Sequence, residues 1–367
     1  MRIARSIAPG VALAGAVAAG VAPATGDESK RVDRLAAEAV KPGEPGVAVL
    51  VLDDGKELHA RGYGLANVEE RVAIDRATTF DLASVSKQFT AYAALILEER
   101  GELALGDEVR KHVRELQLLD PKSRRSRPIL VADLLHHVSG LPDYLALTAE
   151  FPKSEAEMTN VDVARLVAGR PLDFPTGTKF GYSNTNYLLA ALVIERASGR
   201  RFGRVLHDRI FAPLGMRSTR VLDHAQQTIP RGASGYGGAV DDTVPTPVRS
   251  DLATTGDGGV WSCLDDFARW DAELRAPKLV KPATLERAMT SGRLDDGSET
   301  GYGFGWAVGR DGDQPIAEHS GGWMGFVSHH LRHRTSGLTI VVLSNRAFGG
   351  FDAAAFAHRI AGIYRKG

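Results

Sequence analysis

The sequence predicts an α+β protein in which an antiparallel sheet flanked by helices carries an inserted all-helical lobe. Three observations support this. Two strand-like runs precede residue 65, helical periodicities joined by long polar connections fill the middle, and four closely spaced strand-like runs precede a closing helix. Strands first, helices in the middle and strands last fit one sheet layer interrupted by a helical insertion. A sheet lobe at about 30–105 and 280–367 would then enclose a helical lobe at about 106–279, with a site expected in the cleft between them.

Taken in order, Arg2 and Arg5 precede an apolar, small-residue run over 7–21 and then Ala22-Pro23-Ala24. A charged start, an apolar middle and an A-x-A pattern predict a signal peptide over 1–24 and an exported, periplasmic or secreted protein. An uncleaved anchor is the alternative. No second hydrophobic span follows, so no stable membrane span is expected after cleavage. Residues 30–41 place Val32, Leu35, Ala36 and Val40 on one side of a short helix. The run 46–52 reads as a buried strand, Asp53-Asp54-Gly55 as a turn and 57–63 as its hairpin partner.

Residues 78–82 lead into Ala83-Ser84-Val85-Ser86-Lys87, the mouth of a long apolar helix. Val85, Phe89, Ala93 and Ile96 mark one helical face, and Ala94, Leu95 and Leu97 add apolar surface round the rest, so this helix is buried. Beyond it, 131–138 is a short helix stopped by Ser139-Gly140-Leu141-Pro142. Thr159 and Asp162 suggest a capping box before 163–168, 186–198 is apolar and helical, and Ser262 with Asp265 repeats the capping pattern before Phe267, Trp270 and Leu274. Runs at 302–308, 316–319, 325–332 and 338–343 are strand-like, and 351–364 closes the chain as a helix.

Forty-five basic residues balance forty-five acidic ones, so no global field recruits nucleic acid or an anionic membrane. The local cluster Lys122, Arg124, Arg125 and Arg127 reads as a solvated loop. The single Cys263 cannot form an internal disulfide.

Chemistry concentrates in three clusters. At i and i+3 on a helix, Ser84 and Lys87 lie over one patch, which gives a weak nucleophile a base. Phe180-Gly181-Tyr182-Ser183-Asn184 follows Pro175-Thr176-Gly177. In an extended loop Tyr182 and Asn184 point the same way, one able to shuttle a proton and the other to donate to a substrate carbonyl. Glu318-His319-Ser320-Gly321-Gly322 ends a strand where glycines admit an extended substrate and His319 and Ser320 offer hydrogen bonds. Trp261, Trp306 and Trp323 are candidate cleft walls, Trp323 the best placed. His329 and His333 share a strand face while His330 points away, and no carboxylate or cysteine completes a set, so no metal is expected. No cofactor is called for. His136 and His137 are read as packing or backbone-binding, and the loop 232–238 as a cleft edge.

In this order the clusters resemble the penicillin-recognising serine hydrolases, the superfamily of serine β-lactamases and D-alanyl-D-alanine peptidases with related esterases and D-aminopeptidases. The pattern is nearest the class C β-lactamase and DD-carboxypeptidase branch, whose second motif is Y-x-N, here Tyr182-Ser183-Asn184. The stretches 134–142 and 258–262 also look like that branch, so the likeness covers nearly all of the chain after the signal as a single domain.

The resemblance implies a β-lactamase/transpeptidase-like fold and an acyl-enzyme. Ser84 attacks a carbonyl, and Lys87 and Tyr182 together take its proton, either being the acceptor. The backbone amides of Ser84 and Gly322 form the oxyanion hole. Asn184 holds the substrate amide or Lys87, while His319, Ser320, Gly321 and Trp323 contact the substrate, a small molecule or peptide. Where β-lactamases of this branch carry the lysine of K-T-G, this chain has His319. The carboxylate anchor is therefore expected to be weak or pH-dependent. A DD-peptidase or D-aminopeptidase-like peptidase or a carboxylesterase is expected. A class C-like β-lactamase and a catalytically idle binding protein are the alternatives. Substrate identity and oligomeric state are not legible.

Overall fold

A computed structural model describes residues 26–118, 127–224, 227–238 and 245–364. The expected signal over 1–24 and the basic residues Lys122, Arg124 and Arg125 lie outside them. Among the described residues no helix is long and apolar enough to cross a membrane.

The N-terminal hairpin completes the C-terminal sheet. The six strands run in the order Ala307–Asp311, Gln314–Trp323, Phe326–His333, Leu338–Ser344, Val47–Asp53 and Lys56–Tyr63, each antiparallel to its neighbours. Val49 lies opposite Val342 and Leu50 opposite Val341, so two apolar runs almost 300 residues apart form the centre of the sheet. Both runs are continuously apolar because both faces are covered. Ala48, Leu50, Leu52, Val341 and Leu343 face the large core that contains the helix Lys87–Glu99 and Trp270 of Leu264–Arg275. Val47, Val49, Val51, Ile340 and Val342 face the terminal helices, Asp27–Ala39 through Val32 and Ala36, and Ala353–Tyr364 through Phe356 and Ile360.

The middle of the chain supplies the helices Val131–Leu135, Asn160–Ala168 and Asn184–Ser198. Thr159 caps Asn160–Ala168 with the reciprocal Asp162 bond expected of a capping box. The same pattern fails at Ser262. There the helix Leu264–Arg275 starts from Cys263 without a side-chain cap, and the Ser262 hydroxyl is shared with Thr219 Oγ1 at 2.8 Å. Nor is the segment 106–279 wholly helical. It holds the short strands Arg220–Val221, Gly235–Gly237, Thr246–Val248 and Val260–Ser262. Strands of two or three residues carry no alternation long enough to be read.

One buried ion pair ties the core helix to the sheet. Arg332 donates to Asp271, and Thr339 Oγ1 donates to the same carboxylate at 2.7 Å, with Arg332 and Asp271 both almost fully enclosed. Asp271→Ala strands a buried guanidinium, so unfolding in urea is expected to show a loss of about 3–5 kcal/mol. Equal stability of variant and parent would exclude this role for the pair.

Candidate active site

The strand Phe80–Asp81 pairs with Val260–Ser262 and delivers the chain into a 3-10 turn, Ala83–Ser86, which feeds the helix Lys87–Glu99. Ser84 thus sits in the turn and Lys87 opens the helix. Positions i and i+3 eclipse in a 3-10 turn, so the pairing read from a helical face is kept by a tighter geometry. Ala83 has a φ of 46°, a left-handed conformation that costs a non-glycine residue about 1–2 kcal/mol. Asp81 Oδ1, accepting from Ala83 N at 2.8 Å, helps to hold it there. Burial pushes the Asp81 carboxyl up to about 7 against that hydrogen bond.

Lys87 is fully enclosed, and its Nζ lies 2.9 Å from Ser84 Oγ, 2.8 Å from Asn184 Oδ1 and 2.7 Å from the Asp257 carbonyl. Three acceptors match the three donors of an ammonium. The rings of Tyr182 and Tyr187 add cation–π faces at 5.0 and 5.8 Å.

The second cluster arrives differently from the expected loop. Asn184 is the first residue of Asn184–Ser198, and Ser183 before it is extended. Asn184 accepts from Lys87, and its Nδ2 donates to Asp143 Oδ2 at 2.9 Å, so both ends of the amide are engaged. Of the two roles open to it, this geometry supports holding Lys87. Tyr182 is 41% exposed, and its hydroxyl has no hydrogen-bond partner among the described residues. Its ring lies 4.3 Å from the His137 ring, whose Nδ1 accepts from Ser183 N at 3.3 Å. His137 and His136, the latter within 3.1 Å of the Tyr302 carbonyl, are therefore packing and backbone-binding residues.

The third cluster divides between the faces of its strand. His319 is buried, with Nδ1 2.6 Å from the Ser320 carbonyl and Nε2 2.8 Å from the Tyr302 hydroxyl. A carbonyl only accepts, which assigns the ring hydrogen to Nδ1 and leaves Nε2 to accept from Tyr302. Burial, followed by the nearby Lys87 charge, pushes His319 down to about 3. Of the two forms expected of the carboxylate anchor, weak or pH-dependent, a neutral imidazole already engaged by Tyr302 supports the weak one.

Ser320 Oγ shares a hydrogen bond with His329 Nδ1 at 2.9 Å, so its hydroxyl is not free for a substrate. Gly321 is buried. A Cβ there would lie 2.3 Å from the Leu82 carbonyl and 3.1 Å from Ala83 Cβ, so the glycine lets the strand rest on the turn that carries Ser84 rather than contact a substrate. Gly322 opens to space and lines the cleft with Ser84, which suits the pair of amides expected of an oxyanion hole.

That cleft has a volume of about 550 Å³. Trp261, Trp323, Phe326, Val248 and Ile229 give it an apolar wall, while Asn184 and Asp257 lie beside Ser84. Trp306 does not join them; it is core, 5.2 Å from the His330 ring. Part of the loop 232–238 forms the strand Gly235–Gly237, and Gly232, Ala233, Ser234 and Gly235 line the cleft.

Sequence reasoning missed Asp143, Asp257 and Tyr302. Asp143 follows Pro142 directly, a turn-favoured carboxylate that a reading carried one residue further would have included. Asp257 acts through its carbonyl, which no side-chain pattern reveals. The grouping of histidines also departs from expectation. His329 meets Glu318 of the adjacent strand and His358 of the closing helix, so a carboxylate does complete a set.

Comparison with known proteins matches residues 32–364 to the family described as Beta-lactamase. Penicillin-binding protein 4* of Bacillus subtilis strain 168 is 31% identical over 81% of this chain and 67% of its own length. A D-aminopeptidase of Gluconobacter oxydans strain 621H is 31% identical over 86% of this chain and 58% of its own. The chain therefore spans about two thirds or less of these relatives. Among solved structures, an octameric penicillin-binding protein homologue from Pyrococcus abyssi superposes with a TM-score of 0.72 at 25% identity, covering 92% of this chain and 76% of that one.

Proposed function

This chain belongs to the Beta-lactamase family and is a serine hydrolase of the penicillin-recognising superfamily, and we propose that it cleaves amide or ester bonds through an acyl-enzyme on Ser84. The observation that carries this reading is the Lys87 amine bonded at once to Ser84 and Asn184 beside a cleft that Gly322 also lines. Ser84 Oγ attacks the carbonyl carbon, and the amides of Ser84 and Gly322 receive the developing oxyanion. The three acceptors round Lys87 suit a cation that stabilises the departing serine proton's acceptor. That acceptor is assigned to Tyr182, whose hydroxyl has no hydrogen-bond partner among the described residues: as it takes the serine proton it hands its own hydroxyl proton to the leaving amine or alcohol, so it is a neutral phenol before and after. Water attacks the ester by the same path in reverse.

The wall of Trp261, Trp323, Phe326 and Val248 favours an apolar or aromatic acyl or side chain. His319, neutral and engaged by Tyr302, offers no charge to a substrate carboxylate, which supports D-amino amides, D-aminopeptidase-type peptides and carboxylic esters over β-lactams. The D-aminopeptidase relative points the same way. Export ahead of residue 25 is part of this reading and is checked by N-terminal sequencing of protein recovered from the culture medium or periplasm.

Intact-mass spectrometry with a panel of p-nitrophenyl esters, D-alanyl peptides, D-amino amides and nitrocefin tests the proposal. Acyl adducts and release of product are expected from the esters or D-amides, with nitrocefin turned over slowly or not at all. Efficient steady turnover of nitrocefin would establish the class C-like alternative, and no adduct with any reagent would establish a binding protein.

A further inference from the structure

On the sheet face opposite Lys87, three elements converge on a cluster that the hydrolase reading does not use. The strand Gln314–Trp323 supplies Glu318, the adjacent strand Phe326–His333 supplies His329, and the closing helix Ala353–Tyr364 supplies His358. Ser320 and His329 are cross-strand partners, which puts Glu318 on the diagonal from His329 and on the same face. Glu318 Oε2 lies 2.9 Å from His358 Nε2 and 3.3 Å from His329 Nε2, and all three ligand atoms fall within 4.8 Å of one another. Ligands of a tetrahedral zinc ion at 2.0–2.1 Å stand about 3.4 Å apart, so small side-chain rotations bring this set onto one ion.

The orientation of each imidazole supports the same conclusion. His329 is 2% exposed. Its Nδ1 is taken by Ser320 Oγ, so Nε2 is turned into the cluster, where it has no aligned hydrogen bond. His358 presents Nε2 to Glu318 while its Nδ1 faces Asp311 Oδ2 at 3.6 Å. A hydroxyl behind one histidine and a carboxylate behind the other is the outer arrangement that fixes the tautomer and raises the basicity of metal-bound imidazoles. Asp311 also reaches His333 Nε2 at 3.2 Å, which anchors that carboxylate in place.

We propose that Glu318, His329 and His358 form a binding site for a divalent transition-metal ion of the zinc class, remote from the reacting atoms. Two imidazoles and one carboxylate are borderline donors that suit zinc better than calcium or magnesium, which take all-oxygen shells. Glu318 and His358 are partly exposed, which leaves an entry path and a fourth position for water. The ion clamps the closing helix to the strand that carries His319 and Gly322.

The test uses the full chain without an affinity tag, stripped with a chelator and titrated with zinc chloride by calorimetry at pH 7.5, with cobalt absorption as a second reading. One ion per chain is expected, with tetrahedral-type cobalt bands. His358→Ala and Glu318→Gln, each confirmed folded by circular dichroism, are each expected to weaken binding by at least about tenfold. Absence of saturable binding overturns the site. Stoichiometric binding that both variants leave unchanged overturns it equally, because the ion would then sit elsewhere.

Discussion

Ser84→Ala is expected to abolish the acyl adduct and to lower kcat on any ester or amide substrate by on the order of 10⁵–10⁶. Ser84 Oγ is the atom that would form the bond, and Lys87 lies within 2.9 Å of it, so removing the oxygen leaves the amine with nothing to act on. What survives is binding in the cleft and two amides aimed at a carbonyl, worth about 10³ over water in other serine hydrolases. The substrate dissociation constant is expected to change little, because one hydroxyl is lost from a cleft of about 550 Å³. Lys87→Met is expected to fall nearly as far, but it also leaves Asn184 Oδ1 and the Asp257 carbonyl without their donor, at about 1–3 kcal/mol each. Circular dichroism therefore accompanies its kinetics. Wild-type rates in Ser84→Ala would remove Ser84 from the reaction.

How much of this was legible depends on how local each signal is. The apolar runs at Val47–Asp53 and Leu338–Ser344 announce strands buried on both faces, and the helix Lys87–Glu99 announces its own burial, because continuous hydrophobicity is a local property. Their register is not local and no sequence signal gives it, while the approach of Asn184 to Lys87 across 97 residues came only through the resemblance. Chemical type misled at His319 and Ser320. Both are good donors in isolation, but Tyr302 and His329 engage them, and nothing in a linear motif says which neighbours a side chain will meet. Gly321 is expected from the sequence to admit a substrate, but its close approach is to protein. The partner is Leu82 and Ala83, at the start of the turn that carries Ser84. His329 failed the sequence test for a ligand set because its carboxylate, Glu318, lies on a neighbouring strand, eleven residues away along the chain but diagonal in the sheet, and His358 on the closing helix shares no local pattern with either.

The same buried imidazoles make stability steeply dependent on acid. Burial holds His59 down to about 4 and His319 to about 3, and keeps His137 and His330 well below their ordinary value. Below pH 6.5 the unfolded chain binds protons at these four positions while the folded chain does not. Folding stability therefore rises with pH through this window and is lost as pH falls. Between pH 7 and 5 His59 and His319, whose values lie below the whole interval, each cost about 2 kcal/mol, and His137 and His330 act in the same direction. Buried Asp81, raised to about 7, acts in the opposite sense because the folded state takes its proton first, and it returns about 2 kcal/mol over the same interval. Asp257, also raised by burial, adds to that return. Four buried imidazoles stand against these two buried carboxyls, so the net change over the interval is a loss of stability as pH falls. Urea unfolding followed at pH 7, 6 and 5 is expected to show that progressive loss, and His330→Gln is expected to make it smaller. Since His319 stays neutral throughout, the ester-hydrolysis rate of the still-folded fraction is expected to show no limb near pH 6.5 that is removed by His319→Asn. A flat stability between pH 7 and 5 would mean that these imidazoles are solvated rather than enclosed.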